Sequence, residues 1–292
     1  MVIDLILLIL GLAGLLIATY SDKKTTEIPD WLNFSLIASG LSLRALYSIT
    51  YNDFFYIKIA LINLVIFYLI GNIMFYSKQW GGGDAKLLMA LSVVFATYPK
   101  QLLNIFSPRL DNIYFPAIIF LNILIIGMIY SLIFTIYISL KHKKDFLREY
   151  NLYLKKTKNP RKIILILSIL LIVLAIIVNN FLSRISLFFI AIAILLFLYL
   201  WIYIKSVEKS CMYKTIKPSE LIEGDWLTKN IYKNSKLLLK IPMYGLNKEQ
   251  ISLLKKNKIQ KVEIKEGIIF TPTFLIATII SLIFGNIISY FL

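Results

Sequence analysis

The 292-residue sequence predicts an all-α polytopic membrane protein of about eight transmembrane helices, carrying a small α+β domain on the cytoplasmic side. Three observations predict it. Hydrophobic residues make up 59% of the chain and charged residues only 16%, where soluble domains run nearer a quarter charged. Apolar runs of about twenty residues recur from end to end, each long enough to cross a bilayer core as a helix. The lysines and arginines gather in the connections on one side of those runs.

The expected spans are about 2–20, 31–49, 55–77, 85–98, 116–140, 163–180, 185–204 and 270–291. The first starts at Val2 without a basic lead-in, and no small-residue cleavage site follows, so it reads as a retained span. Pro29 turns Ile28 away from helix, so the second restarts near Asp30 or Trp31. The fourth, about 21 Å long as a helix, starts inside the membrane edge. The sixth and seventh form a hairpin turning at 179–184. Arg44 and Lys58 lie towards the outer ends of spans two and three, where long side chains snorkel to water.

Charge sets the expected topology. The stretch 141–162 holds nine Lys and Arg residues and 205–268 holds fourteen lysines. The turn 21–30 adds Lys23 and Lys24, and the turn 78–86 adds Lys78 and Lys86. The opposite side has Lys100, Arg109 and Arg184. The positive-inside rule makes the rich side cytoplasmic and sends both termini outward. The formal net charge of +16 therefore reads as topology plus attraction to anionic lipid, with no nucleic-acid partner: the charges lie in loops, not on one aromatic-studded face. One cysteine, Cys211, and one histidine, His142, leave no intramolecular disulfide and no expected metal site.

The expected organisation is a membrane core over 1–140, a basic cytoplasmic loop over 141–162, an additional transmembrane hairpin over 163–204, the α+β domain over 205–268 and a C-terminal transmembrane helix over 269–292. Within the domain, Trp226–Tyr232, Lys236–Ile241 and Gln260–Lys265 have strand patterns. Asn247 followed by Gln250 is a helix start, with Ile251, Leu253 and Leu254 on its apolar face. The domain either recognises a partner or braces the helices beside it, and bracing is the expectation.

Two short segments carry chemistry. Asp22 closes span one, within Tyr20-Ser-Asp-Lys-Lys-Thr-Thr-Glu-Ile-Pro-Asp30. Asp84 opens span four, within Gly81-Gly-Gly-Asp-Ala-Lys86. The topology puts both carboxylates in one layer at the cytoplasmic boundary, 62 residues apart in sequence. Neighbouring like charges let one carboxylate keep a proton while the other is ionised, which suits general acid and general base on one water. That chemistry needs no cofactor. Gly81, Gly82 and Gly83 are expected to resist helix and to leave backbone bare for an extended segment to approach. Lys24 and Lys86 are candidates to support the pair or to bind lipid phosphate. Glu27 and Asp30 are candidates by residue type alone.

The segment Asp22-x-Lys24-x-x-x-Ile28-Pro29-Asp30 resembles the first aspartate motif of type IV prepilin peptidases. Gly81-x-Gly83-Asp84-Ala85-Lys86 is similar to their GxGD motif, whose core presenilin-type proteases share. The resemblance covers roughly residues 1–140. It implies an aspartyl peptidase core there, with Asp22 and Asp84 catalytic and no cofactor. Bacterial members commonly carry paired CxxC motifs in a cytoplasmic loop; with one cysteine, this chain looks like the archaeal branch of preflagellin and prepilin peptidases. The implied partners are type IV pilin-like or archaellin precursors, cut at the cytoplasmic face of the cell membrane between a short basic leader and an apolar helix.

Two other readings compete. An ion- or proton-coupled transporter would also use intramembrane carboxylates, but would place them near the bilayer midplane within an internal repeat. A presenilin or signal-peptide-peptidase type of protease would have its first Asp inside a span, following a Tyr, and a late Pro-Ala-Leu; here Tyr20 stands two residues before Asp22, and Pro272 precedes Thr273-Phe274.

Overall fold

The helices follow in the order α1 (Val2–Thr25), α2 (Asp30–Tyr51), α3 (Phe55–Tyr76), α4 (Gly82–Val94), α5 (Phe115–Lys141), α6 (Lys143–Lys156), α7 (Lys158–Ile177), α8 (Phe181–Cys211), then α9 (Lys248–Lys256) in the polar domain and α10 (Thr271–Phe284), and every apolar run is helical over most of its length. This computed structural model describes residues 2–233, 235–242 and 245–291; Met1 and Leu292, at the outer ends of the first and last expected segments, lie outside them. Among the described residues, α1, α3, α5, α7 and α8 are long and apolar enough to cross a membrane. The chain is a multi-pass membrane protein. The other three expected spans are helical but differ in kind. Asn33, Ser35, Ser39, Ser42, Arg44 and Ser48 dilute the apolar character of α2. At about 1.5 Å per residue, the 13 residues of α4 and 14 of α10 fall short of a hydrocarbon core of roughly 30 Å.

The helices sort into two compact units, 1–131 with 268–292, and 132–267. In the first, α4 is the buried element: Ala85, Leu87, Leu88, Ala90, Leu91, Val93 and Val94 are all shielded. Its neighbours approach it through residues without side chains. Gly11 of α1 lies against Phe95 and Val94, Gly40 of α2 against Val93, and Gly71 of α3 against the Ala85 carbonyl. Small residues permit such approach where lipid provides no hydrophobic drive between helices.

Because α4 ends within the protein, its last carbonyls need donors. Arg44 supplies them: Nε donates to Val93 O at 3.0 Å, Nη2 to Val94 O at 3.0 Å and Nη1 to Thr97 Oγ1 at 3.3 Å. This overturns the expected snorkelling of Arg44, which is only 2% exposed. Unpaired carbonyls nearby outcompete distant water. Lys58 is exposed.

The expected span 270–291 is interrupted at Gly285, which has φ +76°, where a Cβ would strike the Arg109 carbonyl. Arg109 N donates to Phe284 O at 3.0 Å and Asn286 N to Arg109 O at 2.8 Å. Buried Asn122 donates to Ser281 Oγ at 2.7 Å and Gly285 O at 2.8 Å, and Tyr98 Oη donates to Leu282 O at 2.7 Å. The far end of α10 is thus tied down at several points.

In the second unit, residues 143–156 of the expected basic loop are helical. The reason is amphipathicity: α6 turns Phe146 and Tyr153 onto Tyr203 and Trp201 of α8, while its lysines are exposed. The α7–α8 connection turns at 178–180, and Asn180 caps α8 by accepting from Ser183 N at 3.2 Å. The polar domain contains β1 (Tyr213–Ile216), β2 (Trp226–Leu227), β3 (Ile231–Lys233), β4 (Lys236–Leu239) and β5 (Val262–Lys265). An antiparallel sheet is ordered β1-β5-β2, and β3 pairs with β4. Leu221, Leu227, Leu246, Ile251, Leu254, Val262 and Ile264 form its core. The reciprocal cap at Asn247 and Gln250 forms at 2.8 and 3.0 Å. Lys265 of β5 reaches Glu208 of α8 at 2.7 Å, so the sheet is fastened to the helix that leads into it.

Arg44→Met is expected to lower stability in detergent by about 1–3 kcal/mol, because buried carbonyls lose their donors. Lys58→Met, at an exposed position, is expected within about 0.5 kcal/mol of wild type. Equilibrium unfolding of both variants checks the contrast.

Candidate active site

The two aspartate segments come together in the first unit, at the adjoining ends of α1, α2, α4 and α10. Pro29 takes extended backbone (φ −61°, ψ 133°) and α2 begins at Asp30, where the sequence places it. The turn before it is closed by Ser21 and Thr25 hydroxyls donating to the Glu27 carbonyl at 3.1 and 3.3 Å. It carries Ile28 inward, to 8% exposure.

Ile28 meets the second segment at Gly83. A Cβ built on Gly83 would lie 3.1 Å from Ile28 Cβ, tighter than ordinary contact, so any larger residue there would require Ile28 to give way by a few tenths of an ångström. Asn33 Nδ2 donates to Gly83 O at 3.4 Å, and Lys86 Nζ pairs with Asp30 Oδ1 at 2.6 Å. An apolar contact, a backbone hydrogen bond and an exposed ion pair therefore join the segments that hold Asp22 and Asp84.

The glycines depart from the expected bare stretch. Gly81 is extended, but Gly82 and Gly83 form the first turn of α4. The cost is small there, because first-turn N–H groups have no partner within the helix anyway. Asp84, the third helical residue, repays it by accepting from Gly81 N at 3.1 Å. Just upstream, buried Trp80 packs on Phe120, Phe270 and Phe274, with ring centroids 6.1, 5.8 and 5.2 Å away. This locks the approach to Asp84 against α5 and α10.

Asp22 is 8% exposed. Its Oδ2 accepts from Thr271 Oγ1 at 2.6 Å and from Thr271 N at 3.3 Å. Thr271, fully buried, is the first residue of α10. A carboxylate at a helix N-terminus meets unpaired N–H groups and the positive end of the helix dipole. Asp22 is close enough for its charge to act on Asp84. Water held between two such groups has an acceptor on one side and a donor on the other whenever a single proton is shared.

The remaining candidates sit at the margin. Lys24 is exposed, its ammonium 5.9 Å from the Tyr20 ring centroid. Lys86 is engaged with Asp30 and lies 5.8 Å from the Phe34 ring. Glu27 is exposed. Sequence reasoning missed Thr271, Trp80 and Ile28 as parts of the site. Trp80, directly before the glycines, and Ile28, inside the first motif, had local signals; Thr271, in a distant helix with no motif around it, had none.

Two carboxylates gathered by helix ends in a multi-pass membrane protein are the defining feature of this candidate site. Residues 9–136, which contain both aspartate segments, match the model of the type IV leader peptidase family. The chain is 31% identical over 153 residues to the preflagellin peptidase of Methanococcus voltae, covering 50% of this chain and 64% of that protein. It is 29% identical over 134 residues to the preflagellin peptidase of Methanocaldococcus jannaschii, covering 46% and 56%. These alignments thus span less than two thirds of either relative. An alignment of 371 positions to the prepilin peptidase EppA of Methanothermobacter thermautotrophicus is 24% identical and spans 98% of this chain and 96% of that protein.

Gly83→Ala is expected to be less stable than Gly82→Ala by about 1 kcal/mol, since Ile28 must give way by a few tenths of an ångström. Gly82→Ala, whose nearest neighbour is a Phe75 ring carbon at 3.6 Å, is expected to be neutral or up to about 1 kcal/mol stabilising. Thermal melting of the two purified variants makes the comparison.

Proposed function

We propose that this protein is a membrane-embedded aspartic endopeptidase of the GxGD type that removes the leader peptide from type IV pilin-like or archaellin precursors. The observation that carries the proposal is the convergence of Asp22 and Asp84 within the matched region. The relatives' names, preflagellin peptidase and prepilin peptidase, supply the substrate class.

The chemistry follows from the pair. One carboxylate is ionised and takes a proton from the water between them as its oxygen attacks the scissile carbonyl. The other donates its proton to the carbonyl oxygen, giving a neutral tetrahedral gem-diol. Collapse returns a proton to the leaving amine, breaks the C–N bond and releases leader acid and mature amino terminus. Atoms and protons balance with water alone. An extended substrate would run past Gly81, which is exposed, and Gly82, whose missing side chains leave room for its main chain. Gly83 is already engaged by Ile28 and contributes through the architecture of the pair.

The site faces the cytoplasm in this reading. Lys23, Lys24, Lys78 and Lys86 flank it, and the nine cations of 141–162 and fourteen lysines of 205–268 lie on the same side in the expected topology. Those lysines also favour a surface of anionic lipid. Both aspartates stand at helix ends, Asp22 near the close of α1 and Asp84 in the first turn of α4. That placement suits cleavage between a basic leader and an apolar helix better than ion passage at the bilayer midplane.

The test is cleavage of a panel of archaellin and pilin precursors by detergent-solubilised protein. Wild type is expected to trim the leader, and Asp22→Asn and Asp84→Asn each to lose at least about 10³-fold in rate while remaining folded. Near-wild-type cleavage by either variant would sink the dyad.

A further inference from the structure

We propose that Thr271 is a positioning residue for the Asp22 carboxylate, which makes α10 a working part of the active site. The proposal rests on the peptidase reading and deepens it. It concerns a residue 135 positions beyond the end of the family match at residue 136.

The geometry is specific. Thr271 directs its hydroxyl and its own backbone N–H onto one oxygen, Asp22 Oδ2, at 2.6 and 3.3 Å. Both residues are buried, so water does not substitute for the donor. Two donors on one oxygen fix the plane of a side chain that would otherwise rotate about χ2, and so fix where the other oxygen meets the water and Asp84. A donor that positions must itself be immobile. The far end of α10 is pinned by Asn122, Tyr98 and the Arg109 backbone. Its near end is wedged by Phe270 and Phe274 against Trp80. Since Trp80 precedes the glycine segment directly, α10 touches both halves of the pair: Asp22 through Thr271, and the approach to Asp84 through the aromatic cluster.

A merely structural threonine would behave differently from a positioning one, and kinetics separates them. The full-length enzyme in detergent is assayed on a precursor that wild type cleaves, with kcat and KM measured for Thr271→Val, Thr271→Ala and Thr271→Ser, and with melting recorded for each. Thr271→Val keeps shape and loses the hydroxyl; Thr271→Ala loses it without adding an apolar group, and covers the case in which valine misfolds. Expected is a fall in kcat of about 10- to 100-fold for Val and Ala with KM within about threefold, and a Ser variant within about threefold of wild-type kcat. Wild-type kcat in Val or Ala overturns the proposal. So does a Ser variant as slow as Val, which would point to packing of the methyl group, or a loss confined to KM. Asp22→Asn in the same assay separates the two layers. If it cleaves normally, the peptidase reading itself fails; if it is inactive while Thr271→Val is unimpaired, only the role of Thr271 fails.

Discussion

A carboxylate taken out of water is costly unless donors meet it. At Asp22 they come from Thr271, 249 positions further along the chain. That contact decides much else. It brings the start of α10 to the end of α1, and with it Phe270 and Phe274, which press on Trp80 and so on the lead-in to Asp84. The chain leaves the first unit within α5, builds a second unit over 132–267, and returns to complete the first. The proposed pair is therefore assembled from local motifs but finished by a late helix.

The second constraint is the shortness of α4. A helix of 13 residues buried on most sides has its far end inside the protein, and each end is met by a dedicated group. At the start, Asp84 accepts from Gly81 N, so the residue proposed for catalysis also caps its own helix. At the other end, Arg44 serves Val93 and Val94. The glycines of α1, α2 and α3 let those helices close around α4, which holds Asp84 at a set height. Packing, capping and chemistry meet in one short element.

The second unit obeys more ordinary rules. Helices α7 and α8 are mostly exposed apolar surface, as suits helices in contact with lipid. The polar domain is small, with a core of a few aliphatic residues, and it is fastened to α8 through Lys265 and Glu208.

Much was legible in the sequence. The apolar runs announced helices because length and composition suffice for that. Asp22, Asp84 and their flanking residues stood out because spacing and position at helix ends are local properties. The Asn247–Gln250 cap was readable for the same reason, since its partners lie three residues apart. What the sequence could not reveal depended on contacts between distant residues. Arg44 has the composition of a snorkelling residue and becomes a helix cap only because α4 stops beside it. Residues 143–156 have a loop's charge, and their helix is stabilised by the aromatic contacts to α8. Gly83 carries no sign that Ile28 will fill its missing side chain. Thr271 has no motif around it. The sequence by itself determined the membrane class and singled out the two aspartate motifs with their family resemblance, because hydrophobic length and short motifs are written in consecutive residues. Tertiary structure alone decided which donor holds Asp22 and how the two motifs meet, because those are facts about the folded chain's separation in space.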